Sequence, residues 1–210
     1  MTNTPSPFGT LASQDSLDKT LSSLSEKKYT VVVVKTKEEA LAKIKHIIPD
    51  GASVMNGASV TLEQVGYMNY LSEGSHPWVD LHAKIKGEND AQKRAQLRKD
   101  SIVSDYYLGS VHALTEDGQM VIASNTGSQL PHIAFTSQNL ILVVSTKKIV
   151  PSLADAMKRL EEYVIPLEDA RMMKAMNMHT VLNKILILKG DPEFLGRKIH
   201  VILVEEDLGY

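Results

Sequence analysis

Two continuous apolar runs, "YTVVVV" at 29–34 and "NLILVVS" at 139–145, set the strongest limit on how this chain can fold. Neither alternates apolar with polar residues. Runs of this length without alternation suit strands covered on both faces, and such strands belong to parallel sheets. "ASVM", "KILILKG" and "KIHVILVEED" add further strands. Helical patterns lie between them. Leu11, Leu17, Leu21 and Leu24 fall near helical spacing within 10–27. In "TKEEALAKIKHII", Thr36 as N-cap with Glu39 three residues on forms a capping box. "SVTLEQVGYMNYL" reads as one helix capped by Ser59, and "LEDARMMKAMNMH" as another with Met172, Met173, Met176 and Met178 mostly in the core. In "PSLADAMKRLEEYV", Leu153, Ala156, Met157, Leu160 and Val164 share one face.

The expected fold is α/β: a mainly parallel central sheet flanked by helices, with an antiparallel hairpin. The hairpin joins "DYYLGSVHALT" to "QMVIAS" through Glu116-Asp117-Gly118, since glycine accepts the positive φ such turns need. Residues 1–9 are expected to be disordered and 10–210 to form a single domain. "SEGSHPWVDLHAKIKG" has no clean period and "ENDAQKRAQLRKDSIVSD" reads as an exposed charged helix, so 75–104 could form a small subdomain.

Composition removes several functions. The 210 residues carry 23 Lys+Arg against 25 Asp+Glu, a formal charge of −2, so nothing points to nucleic acid. With no cysteine, the chain cannot form disulfides, a thiolate nucleophile or cysteine-ligated zinc or iron–sulfur clusters. No apolar stretch reaches spanning length, so no membrane is expected. "MTNTPSPFGTLASQDS" has no signal-peptide pattern, and a cytoplasmic protein is expected. The seven histidines form no HxxxH or HExxH pattern, so no metal and no cofactor are expected.

Two loops could carry chemistry. In "MNGASVTLEQ", a strand ends, Gly57-Ala58 turns the chain and Ser59 opens a helix. Ligands of open α/β sheets bind outside the carboxyl ends of strands, and a helix start there offers free N–H groups to an anion. Ser59 and Thr61 add hydroxyls, although plain capping by Ser59 accounts for the same pattern. In "HALTEDGQMVIASNTGSQ", Glu116 beside Gly118 and the polar loop Asn125, Thr126, Gly127 and Ser128 form the second candidate. A solvated turn is the plainer account of Glu116. His112 and His132 flank this region. Arg98 and Arg171 suit surface ion pairs, and either could hold an anion if it faced the loops. A solvated terminus accounts for Glu205-Glu206-Asp207.

In this order, "SDYYLGSVHALTEDGQMVIASNTG", "GASVTLEQVG" and the ending "KIHVILVEEDLGY" resemble the lactate-utilisation (LUD) domain family over about residues 12–210. The resemblance implies a fold like that of ribose-5-phosphate isomerase, glucosamine-6-phosphate deaminase and the class I CoA transferases. It also implies a site for a small anionic metabolite (a hydroxy or keto acid, a phosphosugar or an acyl-CoA). Gly57, Ala58, Ser59, Thr61, Gly118, Asn125, Gly127 and Ser128 would bind it, with Glu116 as base or nucleophile. His112 stands where asparagine is common in the family, and Ser128-Gln129 where Asn-Arg often stands. Many short members carry a cysteine cluster near the last strands, but "MMKAMNMHTVLNK" has none. The rival expectations are a non-catalytic subunit with iron–sulfur partner subunits and a metabolite sensor. Homo-oligomerisation is a further expectation.

Overall fold

A computed structural model describes residues 6–210. Of the stretch expected to be disordered, residues 1–5 lie outside the described residues. Pro7–Gly9 forms a turn of 3-10 helix. It is tied down because the Phe8 ring lies 6.3 Å from that of Tyr163.

The chain runs through α1 (Gln14–Glu26), β1 (Thr30–Val34), α2 (Lys37–Ile47) and β2 (Ser53–Asn56). Next come α3 (Val60–Gln64), α4 (Tyr67–Ser72), β3 (Val79–Asp80), α5 (Leu81–Gly87) and α6 (Ala91–Asp100). β4 (Tyr106–Gly109), β5 (Ala113–Thr115), β6 (Met120–Ser124), β7 (Asn139–Ser145) and β8 (Ile149–Val150) follow. α7 (Leu153–Arg159), α8 (Ile165–Met176), β9 (Lys184–Leu188) and β10 (Lys198–Val204) complete the order.

Two sheets result. Six parallel strands lie in the order β1-β10-β7-β4-β2-β3, and a mixed sheet of four has the order β8-β5-β6-β9. Alternation along each strand decides what covers each face. Leu140, Leu142 and Val144 of β7 pack with α1 and with Leu114, Met120 and Ile122 of the small sheet. Ile141 and Val143, one residue out of phase, pack with α2, α3 and α4. Ala113, Val121 and Ala123 on the outer face of the small sheet meet Ala156, Leu160 and Val164. The order of layers is therefore helices, large sheet, small sheet and the α7–α8 pair.

Several expectations are corrected. β1 pairs with β10 alone, at the edge of the sheet, so Val31, Val32 and Val33 are only half-buried. The single helix expected after Ser59 breaks into α3 and α4 at Gly66, whose φ is +85°. "DYYLGSVHALT" is two strands: β4 belongs to the large sheet and β5 to the small one, with Ser110-Val111-His112 crossing between. α8 has no fully buried residue, and Met176 and Met178 are 63% and 59% exposed, so those methionines are not core. The capping box holds with one shift. Thr36 accepts from the Glu39 N–H, while the Glu39 carboxylate takes the N–H of Lys35.

Among the described residues, no helix is long and apolar enough to cross a membrane.

Candidate functional site

Parallel strands end at one edge, and four chain segments meet there. They are the 57–61 loop after β2, Ser110–His112 after β4, Thr146–Lys148 after β7 and the tail Glu205–Tyr210 after β10. Together with Ala123–Thr126, Ser128-Gln129 and α8 they wall a cavity of about 230 Å³. Gly57, Ala58, Ser59, Thr61, Asn125 and Ser128 all line it. Ser59 also caps α3, accepting from the Leu62 N–H at 3.3 Å, so the capping account holds alongside its place in the wall.

The cavity's most unusual member is Lys148, only 3% exposed. Its Nζ donates to Thr61 Oγ1 at 2.9 Å, to Ser110 Oγ at 3.1 Å and to the Val111 carbonyl at 3.0 Å. No carboxylate lies within ion-pair distance of it among the described residues. Burial, with Arg159 and Lys147 nearby, pushes its amine well below the ordinary lysine range. Arg159 is fully buried and donates to the next carbonyl along, that of His112. Burial lowers Arg159 to about 10. Consecutive carbonyls at the sheet crossing thus hold two buried cations, neither facing a carboxylate. Lys147, also buried, does have one, pairing with Asp207 and donating to the Gly209 carbonyl at 2.6 Å.

His112 lines the same cavity, and its Nδ1 accepts the Ala123 N–H at 3.0 Å. A neutral ring accepting there carries its proton on Nε2. Burial first, then Lys148 and Arg159, push it down to about 3. Across the cavity, Glu168 accepts two 2.7 Å bonds from Arg171 and one at 2.9 Å from the Tyr210 hydroxyl. Burial raises the Glu168 carboxyl, but these bonds outweigh it and hold the group below its ordinary value. Arg171 therefore keeps its expected ion pair and also faces the cavity.

The tail closes over this floor. Gly209 has φ of +66°, and a Cβ there would sit 2.3 Å from Thr61 Oγ1 and 3.0 Å from Lys148 Nζ. Only glycine lets the backbone approach so closely. The acidic residues before it are held, not merely solvated: Glu205 pairs with Lys35 and Glu206 accepts the Lys37 N–H.

Glu116, Gly118 and Gly127 do not line the cavity. The Glu116 N–H donates to the Val150 carbonyl at the far end of β8, and its carboxylate lies 3.6 Å from Lys19 of α1. Gly118 supplies the turn, at φ +75°, and packs on Leu24 and Lys27. Gly127, at φ +86°, packs on the Lys184 side chain. The hairpin turn lies at the end of β5 beside α1, while the segment Ser110–His112 that lines the cavity leads into the start of that strand. Among the described residues, no three histidine, aspartate or glutamate side chains are placed to hold a metal ion.

Lys148, Arg159, Ser110, Glu168 and Tyr210 went unmarked in the sequence reading. One signal was present: "STKKIV" places two lysines directly after the most buried strand, with apolar residues on both sides.

An α/β chain with a six-stranded parallel sheet, a second small sheet against it and a polar cavity at the strand ends is the class these features define. The LUD domain family matches residues 17–204, and the chain belongs to that family. A DUF162 family protein from Deinococcus radiodurans has a similar solved structure, with a TM-score of 0.58 at 12% identity. The similarity covers 93% of this chain and 99% of that one, and it concerns the fold. No curated protein matches.

Proposed function

We propose that the cavity binds the carboxylate of a small hydroxy or keto acid, as part of the organic-acid (lactate) utilisation that the family's name denotes. One observation carries this reading: Lys148, buried in the cavity wall, has three neutral oxygen partners and no carboxylate. Burying a cation without a counter-ion is costly unless something else compensates. A ligand carboxylate would compensate Lys148 directly, and at longer range the charge of Arg159 behind the cavity wall. Ser59, Thr61, Ser110, Asn125 and Ser128 would then orient the rest of the molecule. The His112 Nε2–H and the depressed Lys148 amine are the groups suited to donate to, or exchange a proton with, a ligand oxygen. Chemistry at Lys148 is a better fit to the cavity than chemistry at Glu116, which faces Lys19.

The test is a thermal-shift and calorimetric screen of lactate, pyruvate and sulfonated hydroxy acids. A ligand at about a hundred times its dissociation constant adds roughly 2.7 kcal/mol of stability. The expected result is a melting shift that vanishes in Lys148→Met and weakens in Ser110→Ala. A shift that survives intact in Lys148→Met, or none with any acid, would overturn the reading.

A further inference from the structure

A second cavity, of about 480 Å³, lies on the other side of the Gly57 loop. Gly57, Ala58, Ser128 and Gln129 line both cavities, so the two are separated by one thin wall. Three cations face the second, Lys86 from α5 and Arg94 and Arg98 from α6, with His82 beside them. No carboxylate lines it. Among the described residues, none of the three cations is in an ion pair. Arg94 donates only to the Glu88 carbonyl, at 3.2 Å.

α6 has no buried residue. It is a strongly polar helix, and packing gives it little reason to stand where it does. Arg94 and Arg98 are four residues apart and so share one face, where like charges disfavour a helix. A face that concentrates positive charge over a cavity free of acids suits an anion. Arginine's planar fork suits phosphate oxygens in particular. The floor adds a hydrogen-bonding group. Asn56 is buried, and its Oδ1 has no partner among the described residues, which leaves an acceptor for a ligand hydroxyl or N–H.

We propose that this cavity is a phosphate subsite, and that the acid bound at Lys148 belongs to a molecule carrying a phosphate group across the shared wall. The link to the acid rests on the function proposed above; the phosphate subsite itself does not.

The experiment is calorimetric titration of the full chain with inorganic pyrophosphate, repeated with Arg94→Gln/Arg98→Gln and with Lys148→Met. Both arginines stand on an exposed helix, so the double variant should fold, and its circular dichroism and melting temperature check this. Pyrophosphate should bind the wild type, weaken as salt rises, weaken at least about tenfold in the double arginine variant and be little changed in Lys148→Met. No binding, or equal binding in a folded double variant, overturns the subsite. Loss in Lys148→Met with retention in the arginine variant would move the phosphate to the first cavity and overturn it too. If pyrophosphate behaves as expected while no organic acid binds, the subsite stands and the carboxylate reading fails. A phosphorylated hydroxy acid binding more tightly than its unphosphorylated form, with that gain lost in the arginine variant, supports the link. Equal affinity for the two forms overturns the link.

Discussion

The β5–β8 strand pair has a charged group near each end, and the two ends differ in kind. At one end Glu116 opens a tight turn, its side chain 21% exposed and 3.6 Å from Lys19, itself 55% exposed. At the other end Lys148 is nearly closed from solvent, bonded to two hydroxyls and a carbonyl. The exposed pair costs little and contributes little. The buried amine is held by neutral oxygens alone, with no carboxylate to offset its charge. An acid beside a glycine in a turn is conspicuous in sequence, yet its environment asks for no ligand. The lysine is inconspicuous, and its environment does.

The largest effect expected from this contrast is with acid. His112, at the cavity end, is pushed down to about 3, and His132, stacked on Tyr107, is pushed down by burial to about 4. Both are ordinary histidines when unfolded, so between those values and about 6.5 the unfolded chain binds more protons. Stability from these groups is complete above about 6.5 and is lost as the pH falls toward 3. For His112 alone the full loss, reached below about pH 3, is on the order of 5 kcal/mol. Urea titrations from pH 8 to pH 4 should show it, and His112→Asn should remove a large part of the slope, the rest coming from His132, His200 and the low-pKa carboxylates. A flat profile in the wild type would mean the cavity end is no more demanding than the turn.

Next is Lys148→Met. Binding of the organic acid should fall by about 2–5 kcal/mol, the usual cost of removing one partner of a buried charged contact. The unliganded protein should hold its stability or gain about 1 kcal/mol, since an uncompensated buried cation is gone. Calorimetry and urea denaturation read the two halves separately. A stability loss beyond about 2 kcal/mol would make Lys148 a structural strut.

Gly209→Ala comes third. Its φ is positive and the new Cβ would collide with Thr61 Oγ1, so a loss of about 1–3 kcal/mol in urea denaturation is expected, with weaker acid binding. The smallest effect should come from Glu116→Gln: within about 0.5 kcal/mol in stability and no change in the acid's melting shift. A large loss of binding there would return the chemistry to the hairpin turn and remove the contrast between the two ends.

Much of the secondary structure was legible because each signal is local. Thr36 and Glu39 cap α2 through bonds within four residues, and Gly118 turns the hairpin with its own φ. The loop after β2 was legible as a candidate because strand ends are where open sheets bind ligands, and Gly57 to Thr61 line the cavity. Arg98 was legible only as a choice between an ion pair and an anion contact. Its neighbours on α5 and the Gly57 loop settle which way it faces.

The residues alone were enough for the α/β class, the exclusion of cysteine chemistry and the candidate loop at 57–61, since composition and spacing are properties of the chain itself. They could not say that β1 is an edge strand, that "DYYLGSVHALT" changes sheets at Ser110, or that Glu116 turns toward α1. Nor could they bring Lys148, 87 positions away, to the hydroxyl of Thr61. Those outcomes depend on which strands pair and which faces pack, and burial and hydrogen-bond partners across such distances exist only once the two sheets have closed on each other.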